Sequence, residues 1–270
     1  MTKILFFCSP IGLGHATRDL AIINQLELES CKVVSGSSAI QFFEKNNIKA
    51  VDAYSPPNFE VQNGKLEKSL KWLWSYYKYY KNCKEISNDI IRKEEPELII
   101  SDEDFASIAV AQERGIRNIV ITDILETKFT TGFGAMVEKK MNKTMQEMLQ
   151  KANRVIIPES GMNQDNIIRT GPIVRKIQKK REEIRKDLDF KKKTVVLCAG
   201  GTEAGKFLIK KTINAIKKVE SDIDLVLVTG PEIKEEFGNE IRNLGFVENL
   251  HEIIFAADLV ISLAGKSTID

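Results

Sequence analysis

A chain of 270 residues is long enough to bury two separate cores. Its composition, 43% hydrophobic and 29% charged, is that of a globular protein, and a net charge of +2 supplies no global field for a nucleic-acid partner. The four cysteines, Cys8, Cys31, Cys83 and Cys198, follow neither a disulfide nor a metal spacing, which fits a reducing cytoplasm. The chain opens straight into an apolar run, so no signal peptide is expected, and no run is long enough to span a bilayer.

That first run, Ile4 to Cys8, predicts a strand. It enters Ser9-Pro10-Ile11-Gly12-Leu13-Gly14-His15-Ala16-Thr17-Arg18, after which Leu20, Ile23 and Leu26-Glu27-Leu28 recur at helical spacing. Gly12 and Gly14 let the backbone turn tightly and approach a ligand. A helix N-terminus offers unpaired N–H groups and a partial positive charge, which suit an anion. His15, one of only two histidines, stands at this junction, with Arg18 a turn further on.

Strand and helix patterns then alternate: Lys32–Ser35, a helix from Ser38 to Lys45, and Ile48–Ala53. After Pro56-Pro57 a charged, aromatic helix is expected over about Lys65 to Lys93. Glu97–Ser101 reads as a strand, Phe105–Arg114 as a helix, Asn118–Thr122 as a strand, Met136–Lys151 as a helix and Arg154–Ile157 as a strand. Strands separated by helices imply a parallel sheet covered on both faces. Pro158 to Arg175, with Gly161, Gly171 and Pro172, reads as a linker between domains of residues 1–172 and 173–270.

Beyond it a charged helix runs to about Leu188, and the alternation restarts at Thr194–Cys198. A glycine loop, Ala199-Gly200-Gly201-Thr202-Glu203-Ala204-Gly205, leads to a helix ending near Val219. A strand at Asp224–Thr229, a helix begun by Pro231, a short strand at Gly245-Phe246-Val247, a short helix at Leu250–Ala256 and a strand at Asp258–Ser262 follow. Leu263-Ala264-Gly265-Lys266-Ser267-Thr268-Ile269-Asp270 looks like a loop entering a helix, which argues for a missing C-terminal piece. Both halves thus repeat one unit of strand, glycine loop and helix. Their ligand crevices are expected at the carboxyl ends of the strands.

These motifs resemble the two-domain GT-B glycosyltransferases, most of all the MurG-like group of family 28 and its archaeal-type relatives. The resemblance rests on Gly12-Leu13-Gly14-His15, Gly200-Gly201-Thr202, Gly245-Phe246-Val247-Glu248-Asn249-Leu250 and Ala256-Ala257-Asp258-Leu259-Val260-Ile261-Ser262 followed by Ala264-Gly265-Lys266-Ser267-Thr268. It implies an α/β fold of two Rossmann-like, doubly wound domains facing across a cleft, the second incomplete here. It implies a UDP-sugar donor in the second domain, with the uracil against Phe246, Val247 and Leu250. The diphosphate would lie at Gly265, Lys266, Ser267 and Thr268, close to Gly200, Gly201 and Thr202. The family places a glutamate for the ribose just beyond the Thr268 position, and this sequence ends at Asp270. Neither cofactor nor metal is implied, and the enzyme would be a hexosyltransferase.

An inverting transfer needs a base for the acceptor hydroxyl. His15 is the candidate, because imidazole titrates near neutrality. Asp102, Glu103 and Asp104 follow a strand and are placed to orient it, Asp102 foremost. Gly12, Gly14, Arg18 and Asp104 would meet the acceptor or an anion. The structural readings stand beside these: His15 bracing the loop, Arg18 solvated, Asp104 capping the helix at Phe105, His251 covering the helix at Leu250, and Lys266 in solvent. Leu66, Leu70, Leu73, Tyr77 and Tyr80 form one stripe of the long helix, and Trp72, Tyr76, Tyr79 and Cys83 a second. They read as a helix packed on two sides, or as an acceptor or headgroup surface. Val137, Met141, Met145 and Met148 read as a core stripe, or as a lipid-facing one suited to a lipid-linked acceptor at the inner face of the membrane. Two rival functions remain open. A UDP-sugar hydrolase of the pseudaminic-acid type would share the Gly-x-Gly-His-x-x-Arg front, and a nucleotide-binding fragment would turn nothing over.

Overall fold

The computed structural model describes residues 2–26, 30–57, 61–62, 65–66, 69–128, 130, 133–200, 205–219, 222–238 and 241–270. The chain divides into two compact units, one running to Val174 and the other from Arg175 to Asp270.

Up to Val174 the elements are β1 (Ile4–Cys8), α1 (Leu13–Ile23), β2 (Cys31–Gly36), α2 (Ser38–Lys45) and β3 (Ala50–Tyr54), then the paired short strands β4 (Val61–Gln62) and β5 (Lys65–Leu66). After them come α3 (Ser69–Glu94), β6 (Leu98–Asp102), α4 (Phe105–Glu113), β7 (Arg117–Ile121), α5 (Phe133–Lys151), β8 (Arg154–Ile157) and β9 (Ile167–Arg169). The seven-stranded sheet has the order β3-β2-β1-β6-β7-β8-β9. Every pairing in it is parallel. Strand order reverses between β1 and β6, which makes their carboxyl ends the switch point of a doubly wound sheet. Alternation along β1 sends Leu5 and Phe7 into a cluster with Ile99, Val120 and Val155, while Phe6 is buried on the opposite side. Each such fully buried side chain contributes about 1.5–3 kcal/mol.

The second unit contains α6 (Arg181–Asp187), β10 (Lys193–Cys198), α7 (Lys206–Ile216), β11 (Ile223–Val228), β12 (Arg242–Asn243), α8 (Leu250–Ala256), β13 (Leu259–Ser262) and α9 (Lys266–Ile269). Its four-stranded sheet has the order β12-β11-β10-β13, again parallel. Val196, Cys198, Val226 and Val228 pack with Ile184 and Ile253 on one face; Leu197 and Leu227 pack with Ile209 on the other. Burial on both faces explains why its central strands read as unbroken apolar runs.

Four expectations are corrected. The helix expected from Pro231 does not form: residues 231–238 run irregularly, with Ile233, Phe237 and Ile241 packed at the core. Gly245–Val247 is not a strand, because pairing with β11 falls earlier, at Arg242–Asn243. The stretch read as a linker contains β9, which pairs with β8. The long helix begins at Ser69, not near Lys65, where β5 lies.

Two apolar stripes also shift. On α3, Leu73 and Cys83 are buried, but Tyr77 is 42% exposed beside Trp74, at 61%. On α5, Val137 is exposed and the inward face is Glu138, Asn142, Met145 and Leu149. Asn142 and Glu138 are buried because they hold a loop: Asn142 Oδ1 accepts from Thr127 N, and Glu138 Oε2 from Thr130 N, at 3.0 and 2.9 Å. No helix among the described residues is long and apolar enough to cross a membrane.

At the register shift between β2 and β3, a Cβ added to Gly36 would sit 1.8 Å from the carbonyl oxygen of Tyr54. Gly36→Ala must therefore push β3 away. A loss of about 1–3 kcal/mol is expected, read as a lower urea midpoint at unchanged m-value.

Candidate active site

Register sets Cys8 of β1 opposite Asp102 of β6, and Asp102 opposite Ile121 of β7. The turns leaving three neighbouring strands therefore meet at one sheet edge. Gly12, at φ +79°, makes the left-handed turn that brings α1 back from β1, with Gly14 in its first turn. Residues three apart on a helix share a face, so His15 and Arg18 both reach Asp102.

The Asp102 carboxylate is fully buried and held by three donors. His15 Nδ1 lies 2.9 Å from Oδ1, and Arg18 donates from Nη2 to Oδ1 at 2.6 Å and from Nε to Oδ2 at 2.7 Å. Arg18 Nη1 also reaches Asp123 Oδ2, in the turn after β7, at 3.1 Å. A carboxylate only accepts, so His15 carries its proton on Nδ1 and turns Nε2 the other way. Nε2 there faces Glu103 Oε2 at 3.5 Å. Glu103 Oε1 accepts from Thr122 Oγ1 at 2.9 Å and from Asp123 N at 3.1 Å. Glu103 and Asp104 also border a partly open pocket with Ser9, Ile11, Tyr76, Tyr79 and Phe105.

Burial and charge oppose one another across this cluster. Burial disfavours the His15 imidazolium, but Asp102 and Glu103 outweigh it and raise the pKa to about 9. Burial likewise opposes ionisation of Asp102, yet His15 and Arg18 hold it well below the ordinary carboxylate range. Glu103 is raised to about 7 by burial, with Asp102 and Asp123 adding to it against His15. Asp19, on the buried face of α1, has no hydrogen-bond partner on either oxygen among the described residues. Burial, then nearby Asp102, pushes it well up and favours the neutral acid.

The site expectations separate here. His15 and Asp102 come together. Arg18, expected at an acceptor or anion, is instead buried against Asp102 and Asp123. Asp104 caps α4, its Oδ1 accepting from Ala106 N at 3.0 Å and Ser107 N at 3.2 Å. Asp102 and Asp104 therefore serve different partners. The sequence reading missed Asp19 and Asp123; Asp123 closes an apolar strand just as Asp102 does, and that was its signal.

In the second unit, Cys198 pairs with Ser262, so the turns leaving β10 and β13 are neighbours. Gly200 lies in the first, at φ +81°, where a Cβ would come within 3.8 Å of Leu263. Gly201 and Thr202 lie outside the described residues. Gly265 opens α9, which carries Lys266, Ser267 and Thr268, and a Cβ on Gly265 would meet nothing within 4 Å. Lys266 Nζ bonds both carboxylate oxygens of Asp270, at 2.5 and 2.6 Å. Val247 and Leu250 pack partly against the core while Phe246 is half-buried. His251 follows Leu250 in α8; burial and then Arg175 lower its pKa to about 4.

Residues 195–270 match the glycosyltransferase family 28 C-terminal domain. An uncharacterized glycosyltransferase of Methanopyrus kandleri is 25% identical over 199 residues, covering 68% of this chain and 56% of that one. The UDP-N-acetylglucosamine–N-acetylmuramyl-(pentapeptide) pyrophosphoryl-undecaprenol N-acetylglucosamine transferase of Clostridium botulinum is 24% identical over 269 residues, 95% of this chain and 71% of that one. MurG of Acinetobacter baumannii shares the fold at a TM-score of 0.52 and 16% identity, over 98% of this chain and 74% of that one. The chain is thus similar to MurG-like glycosyltransferases in sequence and shares the GT-B fold, and its second unit carries the family 28 match. It spans little more than half the length of the Methanopyrus relative. The family 28 match lies entirely in the second unit, so the His15 cluster is outside it.

A raised histidine pKa is also a statement about stability. His15 binds its proton more tightly folded than unfolded, so its contribution is complete below about pH 6.5 and is lost as pH rises through about 9. His251, lowered, acts only below that window. The urea midpoint should fall between pH 6.5 and 9, and His15→Gln should flatten that slope; equal slopes in the two proteins would separate His15 from the effect.

Proposed function

We propose that this chain moves a hexosyl or N-acetylhexosaminyl group from a UDP-sugar to an acceptor hydroxyl, inverting the anomeric carbon, with His15 as general base. The observation that carries this reading is the His15–Asp102 pair at the switch point of the first sheet. Asp102 fixes the ring through Nδ1 and stabilises the imidazolium formed when Nε2 takes the acceptor proton. Arg18 secures Asp102, so the ring is oriented by a carboxylate that cannot move. As Nε2 gains the proton, the acceptor oxygen bonds to the anomeric carbon, and the bond to the diphosphate breaks with its electron pair leaving on UDP.

The donor belongs to the second unit in this reading, with the uracil near Phe246, Val247 and Leu250 and the diphosphate at Gly200 and Gly265–Thr268. The family 28 match over these residues supports it, as does the Clostridium relative, whose name includes UDP-N-acetylglucosamine. Backbone N–H groups beside Gly200 and Gly265 suit a diphosphate, and Lys266 would exchange Asp270 for it. A lipid-linked acceptor is supported by α3, where Lys78 and Lys81 lie 5.6 and 4.8 Å over the exposed rings of Trp74 and Tyr77. The same His15 cluster applied to water gives a hydrolase.

Release of UDP from UDP-N-acetylglucosamine, measured with and without octyl glycosides as hydroxyl acceptors, tests the reading. Acceptor-dependent release is expected, with an inverted anomeric centre in the product; full release without acceptor makes the enzyme a hydrolase. His15→Ala should lower the rate by about 10²–10⁴ with little loss of UDP affinity. A wild-type rate in that variant rejects the base.

Gly265 has room for a side chain and an ordinary backbone at φ −60°, so Gly265→Val leaves the fold intact. Calorimetric titration should then show weaker UDP binding, because the branched side chain blocks close approach of the backbone. Unchanged affinity would put the diphosphate elsewhere.

A further inference from the structure

The mechanism leaves one well-fixed side chain of the first unit without a task. Glu103 adopts a left-handed backbone, φ +54°, that costs a non-glycine residue about 1–3 kcal/mol. Several hydrogen bonds enforce it. Its N–H donates to Ile121 O at 3.1 Å, and its Oε1 accepts from Thr122 Oγ1 and Asp123 N. Oε2 is thereby presented to His15 Nε2, 3.5 Å away. Neither the cap of α4 nor the anchoring of Asp102 needs this carboxylate, since Asp104 and Arg18 supply them. Nε2 is also the only ring nitrogen that could take a proton from an acceptor, because Nδ1 is engaged by Asp102.

We propose that Glu103 is a positioning residue whose Oε2 holds the Nε2 proton on the resting His15 imidazolium and so sets the pH above which His15 becomes available as base. The inference rests on the transferase reading above. When the Nε2–H bond breaks and the proton passes to water at the partly open pocket that Glu103 borders, the imidazolium becomes neutral imidazole with Nδ1–H still donated to Asp102, and Nε2 can take the acceptor proton.

The groups facing the pair are Arg18 and Asp19 from α1, Cys8 from β1, Asp102 from β6, Asp123 from the turn after β7 and Tyr76 from α3. Arg18 is permanently charged, and its charge is matched by Asp102 and Asp123. Burial keeps Cys8 and Tyr76 protonated, and burial pushes Asp19 toward its neutral form. Among these neighbours Glu103 is the carboxylate that faces Nε2, while Asp102 faces Nδ1.

The chain has only two histidines, so ¹⁵N-histidine labelling reports both ring systems, with His251 as an internal reference. Glu103→Gln keeps the shape of the side chain and removes its charge. Glu103→Gly removes the carboxylate while relieving the left-handed backbone, which safeguards folding. In both variants the His15 midpoint should fall by about one pH unit or more, a tenfold loss of proton affinity, with His251 unmoved. The acid limb of UDP release from UDP-N-acetylglucosamine should move down in step. A His15 midpoint unchanged within about 0.3 unit in both variants overturns the proposal. If the wild type releases no UDP, the transferase reading fails, while the imidazole titration still decides whether Glu103 holds the proton.

Discussion

One buried carboxylate, Asp102, sets the terms for the first unit. An ion taken from water loses several kcal/mol of hydration, and only close partners restore it. Asp102 finds them in His15 and Arg18, one helical turn apart on α1. That requirement reaches back into the backbone. The two side chains can converge only if α1 starts where it does, and its start depends on the left-handed turn at Gly12. It also reaches sideways, because Arg18 spans Asp102 and Asp123 and so ties together the turns after β6 and β7. Removing Arg18 or His15 would strand a buried charge, whereas a hydrophobic cluster would simply lose contacts.

The architecture was legible because parallel sheets buried on both faces leave a plain trace. Ile4–Cys8 and Thr194–Cys198 are unbroken apolar runs, and both are central strands. The failures lie where local spacing and tertiary anchoring give one pattern. Ile233, Phe237 and Ile241 touch the core at helical intervals without forming a helix. On α5 the inward face also carries Glu138 and Asn142, polar residues that hold a loop, so counting apolar residues finds Met145 and Met148 but misplaces Val137. β9 is three half-buried residues at a sheet edge, too short to stand out among glycines and prolines.

The site was partly legible for a related reason. A histidine after a glycine turn and an acid at the end of the next central strand are both chain-local features; they single out His15 and Asp102, which the structure brings within 2.9 Å of each other. What the side chains do with one another is set by contacts across about a hundred residues of chain, and one-dimensional spacing does not carry that. Arg18 looked like a surface cation one turn into a helix. Its burial follows from the register that sets Cys8 opposite Asp102, which only the folded sheet supplies.

Charge counting separates what the two units can bind. Around His15 stand Asp102, Glu103 and Asp123, against two cations, Arg18 and His15 itself, while burial favours the neutral form of Asp19. Arg18 has its Nε, Nη1 and Nη2 donors committed to carboxylates. An incoming anion would meet no uncommitted cation from this cluster. The turns after β10 and β13 have the opposite character. A Cβ on Gly265 would meet nothing within 4 Å, and Lys266 Nζ pairs with Asp270 beside it. Proton chemistry and phosphate chemistry make opposite electrostatic demands, and the proposed transfer would assign one of them to each unit.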